Sequence, residues 1–393
     1  MLTRRNLLLL LMLGPTVGWA ANAGGQSLVL QWSRRGRVTD WVVLDQEVFV
    51  LGPPLTVYDV VTGQERRRAR MKGDSMAPTQ MPAMTIDGSA LVMGRFHDGD
   101  GILACLDTAT LRVRWERRYK WPRSRWDYHA GFSLAIRGDA VYAVFTGHTG
   151  DNLAKFDLVS GNVTWSAHVE IFIMESPIML RGDQMLVRSQ VDPFYPDGYG
   201  YYHAVDPATG AVLWRIRLDG IASISEDAPL VTGKFAYVTT SGPRPPDVHF
   251  YTIDLERGAI ASHRIMRNLS QPFAYDSETL YFGSNRPAAY NTSTREIVWQ
   301  TKIVPPGTIG ANIAAYGVLD RAAGRIYLGE YRNDLYVLSA ADGSILDKIN
   351  LRGSYLDPIK GIHPGYGVER LQLVGDRLFV GTPDGSLLVF RRP

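Results

Sequence analysis

Apolar and polar residues alternate along this chain in short runs that read as half-buried strands, and one of these runs leads into the same turn repeatedly. The clearest copy is Tyr202-His203-Ala204-Val205, then Asp206-Pro207-Ala208-Thr209-Gly210, then Ala211-Val212-Leu213-Trp214. Further copies occupy 55–70 around Asp59, 102–117 around Asp107, 153–168 around Asp157 and 250–265 around Asp254, with degenerate copies around Asn291, Ser339 and Arg391. These eight anchors are 48 to 52 residues apart, except for one step of 37 from Asp254 to Asn291.

Two further strand patterns precede most anchors. In one example, 132–136 and 140–144 flank Arg137-Gly138-Asp139, and the same grammar recurs at 178–187, 230–238 and 371–380. Gly and Asp suit such hairpins because they accept the positive φ of tight turns. Four strands per unit at a period near fifty predict an all-β fold, an eight-bladed β-propeller with four-stranded antiparallel blades. The last unit stops at 387–393 without its outer strand, while Leu28-Val29-Leu30-Gln31-Trp32 stands alone at the other end and carries a Trp like Trp115, Trp165, Trp214 and Trp299. Pairing of the N- and C-terminal strands would close the ring and remove an exposed edge. In this reading the anchor Asp bonds its own turn, and Trp fills the gap between blades.

With 393 residues, 45% of them hydrophobic and 21% charged, the chain has the composition of an ordinary folded protein. The unbroken repeat makes 24–393 a single domain. Residues 1–23 differ: Arg4-Arg5 precede an apolar run at 7–17 and small residues at Ala20, Ala21 and Ala23, the pattern of a secretory signal. The run is too short for a membrane span, so no transmembrane span is expected in the mature chain. General and twin-arginine export both fit, placing the protein in the periplasm or on the extracellular side of a bacterial envelope. Neither Ala20 nor Ala23 precedes a Cys, so no lipoprotein anchor is expected. The single Cys105 precludes an internal disulfide.

The formal charge is +3, including Arg4 and Arg5 of the leader, so a nearly neutral, monomeric exported protein with no nucleic-acid partner is expected. Local basic stretches do occur, at Arg66, Arg67, Arg68, Arg70 and Lys72, and from Arg112 through Arg125. They could meet acidic lipid or protein, but charge on outer strands also blocks edge pairing, and that reading is preferred. No Ser-x-x-Lys, Gly-x-Ser-x-Gly, His-Glu-x-x-His or phosphate-loop pattern is present.

The phrase from Ala204 to Trp214, repeated eight times, resembles the tryptophan-docked repeat of the pyrroloquinoline quinone (PQQ) dehydrogenase-like propellers, over essentially all of 28–393. The resemblance implies the propeller fold but leaves activity open, because quinone enzymes share the repeat with non-catalytic relatives. Among the latter is the propeller lipoprotein of the outer-membrane β-barrel assembly machinery, the nearest in type. The enzymes are similar to one another in a vicinal Cys-Cys disulfide, a calcium held by Glu, Asn and Asp, and a catalytic Asp. Cys105 alone cannot form that disulfide, and Asp98-Gly99-Asp100-Gly101 lacks the further carboxylates of a calcium loop and reads as a hairpin turn. The motifs therefore support neither PQQ nor calcium, and no catalytic or metal-binding residue is assigned. The expectation is a non-catalytic, protein-binding scaffold of the cell envelope; the alternative is a quinone-dependent dehydrogenase with its cofactor in the central channel.

In a propeller the first-to-second and third-to-fourth strand loops share one face, and the remaining connections share the other. Here the second set is long, aromatic and proline-rich, at 120–129, 192–201, 241–249 and 352–367. Binding usually resides in elaborated loops on a rigid scaffold, and binding hot spots favour aromatics and Arg. The candidate binding residues are Trp121, Trp126, Tyr128, His129, Phe194, Tyr195, Tyr199, Arg244, His249, His363 and Tyr366, with mutual packing over the channel as the alternative role. Glu175, Asp227, Gln271, Asn312 and Glu369 are expected at the channel mouth, as ligand contacts or as solvated rim residues.

Overall fold

A computed structural model describes residues 28–393 apart from 35–37, 53, 71–82, 98–99, 121–130, 147–149, 170–177, 191–198, 221–228, 242–246, 268, 285, 304–315, 330–333, 352–369 and 383–384. The leader thus lies outside the described residues. Among those described, every regular element is a strand, and the strands form eight four-stranded antiparallel sheets. Blade 1 spans 40–69, blade 2 83–120, blade 3 131–167, blade 4 179–219, blade 5 230–267, blade 6 272–300 and blade 7 316–350. Blade 8 joins 370–391 to the N-terminal strand Val29–Arg34.

Each blade follows the period-2 rule, so one sheet surface meets the preceding blade and the other meets the next. The core is correspondingly divided: each junction holds its own buried apolar cluster. Blades 3 and 4, for example, share Tyr142, Val144, Met185, Val187 and Val205. The junction of blades 8 and 1 is filled by Trp32, Trp41, Val48, Phe379 and Val389, so the ring is closed.

The N-terminal strand completes blade 8 through Leu30 opposite Phe390 and Trp32 opposite Val389. Trp32 Nε1 donates to Val60 O of blade 1 at 2.9 Å. On the inner side, Asp40 of blade 1 accepts from Arg370 of blade 8 and from the Met84 amide of blade 2, and Arg370 stacks over the Trp41 ring at 4.5 Å. Asp40 thereby ties three blades together. The short step from Asp254 to Asn291 is a trimmed blade: blade 6 keeps four strands, but its middle two, Thr279–Phe282 and Ala288–Asn291, have four residues each.

The anchor residues act within their own turns. Asp59 Oδ1 accepts from the amides of Val61 and Thr62 and from the Thr62 hydroxyl, and Asn291 Oδ1 does the same for Ser293 and Thr294. Such bonds stabilise the charged form: the turn bonds, then Arg66, hold the Asp59 carboxyl down at about 2, and Arg114, then the Thr110 turn bonds, do the same for Asp107. Four residues after the anchor the chain turns left-handed, and this position is coupled to the preceding blade. A Cβ on Gly63, Gly161, Gly210, Gly258 or Gly343 would lie 2.4 to 2.7 Å from an atom of Trp32, Trp115, Trp165, Trp214 or Trp299, respectively. Where the preceding blade has no Trp at this register, the glycine is gone too. Arg67 of blade 1 precedes Leu111 at φ 56°, and Ser262 of blade 5 precedes Arg295 at φ 63°. Arg67 even uses the equivalent acceptor, donating to Thr108 O at 3.0 Å.

Trp214 is the exception among the docked rings. It presents Cγ and Cδ1 to Gly258, where the others present Cδ2 or Cε3, and its Nε1 has no hydrogen-bond partner. Gln184 Nε2 instead donates to Leu255 O, at 3.2 Å.

Candidate binding face

The strand bounds separate two unlike ends. At one end the first and second strands are joined by two residues in every blade except blade 7. The other end carries the long connections, such as 191–198, 242–246 and the inter-blade segments 121–130 and 352–369. The sequence drew two of these loops too wide. Tyr199 begins the strand Tyr199–Val205, and His249 lies inside Asp247–Asp254.

Of the candidate residues, Trp121, Trp126, Tyr128, His129, Phe194, Tyr195, Arg244, His363, Tyr366, Glu175, Asp227, Asn312 and Glu369 lie outside the described residues. Tyr199 is described only in its backbone. Gln271 is 5% exposed and serves as an inter-blade staple. Its Oε1 accepts from the amide and hydroxyl of Thr239, both at 2.9 Å, and its Nε2 donates to Tyr237 O at 3.2 Å. Its amide is thus bonded across the blade 5–6 junction.

His249 is buried, and its Nδ1 lies 2.8 Å from Nε2 of the exposed His263. Burial, with His263 beside it, lowers the His249 pKa, partly offset by the carboxylates of Asp219 and Asp247. Tyr251 stacks on His263 at 4.4 Å between ring centroids and bonds the backbone of Asp219 in blade 4.

Sequence reasoning missed a second polar layer, at the loop-bearing end of blade 4. Ser189 Oγ and His203 Nε2 are 2.6 Å apart, and each residue is 1% exposed. Burial, with the Arg215 guanidinium, pushes the imidazole down to about 4, so it is neutral; its Nδ1 has no hydrogen-bond partner. On the surface facing blade 5, buried Arg188 sits beside Tyr202; desolvation lowers the Arg188 pKa and raises the phenol to about 12. The period-2 pattern marks such positions as inward-facing, but which of them meet depends on strand register.

Several side chains of the basic stretches are bonded within the ring. Arg66 and Arg67 pair with Glu47 at 3.1 and 2.5 Å, Arg114 pairs with Asp107 at 2.7 Å, and Arg117 Nε donates to Gly161 O at 2.9 Å. Among the described residues, no three His, Cys, Asp or Glu side chains converge as metal ligands, and no helix is long and apolar enough to cross a membrane.

The family model described as "outer membrane protein assembly factor BamB" matches residues 16–172 and 176–314. The chain belongs to this family. Its members' propeller is also seen in BamB from Moraxella catarrhalis, 18% identical with a TM-score of 0.62, covering 93% of this chain and 100% of that one. The computationally designed protein Ika8 matches over the same shares at 13% identity and a TM-score of 0.64. A europium-containing methanol dehydrogenase matches at 13% identity and a TM-score of 0.50, over 74% of this chain and 72% of that one. At these identities the likenesses concern the fold alone. No curated protein matches the chain.

Proposed function

We propose that this BamB-family propeller is an exported, non-catalytic binding scaffold that serves outer membrane protein assembly, a reading supported by the family's description. In this reading residues 1–23 direct export, 24–393 form one monomeric propeller in the periplasm, and the loop-bearing end receives an envelope protein partner. The observation that carries the reading is the contrast between the ends: short turns on one, of two residues between the first and second strands of every blade but blade 7, and on the other the long connections, aromatic in sequence, over a closed ring. Pairing of Arg66, Arg67 and Arg114 with carboxylates within their own blades makes the basic stretches the weaker candidate surface.

Excising 191–198 and joining Gln190 to Tyr199 through a short Gly-Ser turn tests this assignment. Loss of co-purification with the outer-membrane assembly complex, with the β-sheet spectrum unchanged, is expected. Undiminished co-purification would remove the loop-bearing end from the function.

The quinone-dehydrogenase alternative draws on the shared repeat and on the fold of the europium-containing methanol dehydrogenase. Incubation with quinone and calcium, followed by a search for a bound chromophore and dye reduction, tests it directly. A chromophore with turnover would replace the scaffold reading.

A further inference from the structure

The His249–His263 pair lies at the outer margin of the blade 4–5 junction, at the loop-bearing end. The two nitrogens are 2.8 Å apart, the ring centroids 5.0 Å, and the planes differ by 5°. The centroid separation is what this nitrogen distance plus two ring radii give when the rings meet edge to edge in a common plane. The contact is therefore a head-on N–H···N bond, and the two lone pairs do not converge on a point where a metal could sit.

Such a bond needs one donor and one acceptor. Two neutral rings satisfy it, and so does the singly protonated pair, in which the bond becomes charge-assisted. Two cations cannot, because two N–H groups then face each other. The pair also supports the junction: His263 stacks on Tyr251 at 4.4 Å, and the Tyr251 hydroxyl accepts from the Asp219 amide at 3.1 Å and donates to Asp219 O at 3.3 Å. Thr240 Oγ1 donates to the same carbonyl at 2.6 Å. The outer strand of blade 4 therefore ends against this cluster.

We propose that His249 and His263 form a proton-operated latch, which holds the end of the blade 4 outer strand through Tyr251 until both rings are charged and then releases it. The surrounding charges fit a device that tolerates the first proton and resists the second. Asp219 faces it from blade 4, with Arg217, on the far surface of that strand, 3.8 Å from its carboxylate, and Asp247, Arg264 and Arg267 belong to its own blade. Arg267 pairs with Asp247 at 3.1 Å, and Arg264 is turned to Arg295 O of blade 6. Thr240, opposite His249 on the third neighbouring strand, adds no charge. Burial, with the neighbouring ring, makes His249 harder to charge than an ordinary histidine.

The Asp219 amide donates directly to Tyr251, so its hydrogen exchange reads the latch. After correction for the intrinsic rate, its protection should hold from pH 8 to the ordinary histidine range. Below that it should fall by up to about tenfold per pH unit, the slope of a single linked proton. His263→Gln, which keeps a donor but does not titrate, should flatten this fall. Tyr251→Phe should remove protection at every pH while leaving the imidazole resonances coupled in their NMR titration. If His263→Gln retains the wild-type pH dependence, or if the two imidazoles titrate independently, the latch is refuted.

Discussion

Substituting Gly161 with leucine should destabilise the junction of blades 2 and 3 unless Trp115 is removed as well. At φ +66°, with an added Cβ 2.5 Å from Trp115 Cδ2, the leucine meets both backbone strain and a ring. Left-handed strain costs about 1–2 kcal/mol and overpacking about 1–3 kcal/mol, so Gly161→Leu should cost about 3 kcal/mol. Trp115→Ala leaves a cavity costing about 3–5 kcal/mol and loses the bond to Leu158 O at 2.8 Å, which adds about 1 kcal/mol. Independent effects would sum to about 7–9 kcal/mol. The double variant should instead lose only about 4 kcal/mol, because the new leucine enters the space the indole vacated. The junction of blades 1 and 2 already works this way, with Leu111 5% exposed in its core and Arg67 in the tryptophan register. Guanidinium unfolding of the four proteins, followed by far-UV circular dichroism with m-values compared, measures the coupling. Additive losses would refute the claim that turn residue and docked ring are chosen together.

Other residues give simpler tests. Because His203 is held at about 4 in the folded ring and returns to 6.5 when unfolded, its contribution is full above pH 6.5 and is lost as pH falls toward 4, by about 3 kcal/mol in all. His203→Gln should flatten the stability profile in that window, and an unchanged profile would contradict the assignment. Trp32→Ala should raise hydrogen exchange in Val29–Arg34 and Ser386–Arg391 ahead of every other blade, since the closure lacks a covalent turn. Cys105 is fully buried and its thiol is pushed up to about 11, so the native protein at pH 8 should resist a disulfide exchange reagent that reacts at once in denaturant; rapid native reaction would contradict the packing.

The blades were legible because their determinants are local. An Asp that bonds its own turn, a glycine four residues later and a tryptophan beyond it are all written within one stretch such as Asp206 to Trp214. Ring closure was legible for the same reason: Trp32 is a blade-ending tryptophan with no blade before it. The loop at 241–249 was misjudged because Pro243, Pro245 and Pro246 announce irregular chain, while Val248-His249-Phe250 resumes the alternation too briefly to stand out. The pairs Ser189–His203 and His249–His263 were hidden for another reason. Each joins neighbouring strands across a diagonal, and register decides which residues of one sheet surface meet. The coupling between Trp115 and Gly161 runs between blades, so it emerges only when all the junctions are compared.

The central claim, that the loop-bearing end receives an envelope protein partner, is tested most directly by photo-crosslinking from both ends of the ring in intact cells. A photoreactive amino acid would be placed singly at 194, 244 and 363 on one end, and at Asp139, Val159 and Asp183 in the tight turns of the other. Crosslinks to one component of the outer-membrane assembly complex from the first set, with none from the second, are predicted. Crosslinks from the tight turns alone would contradict the account.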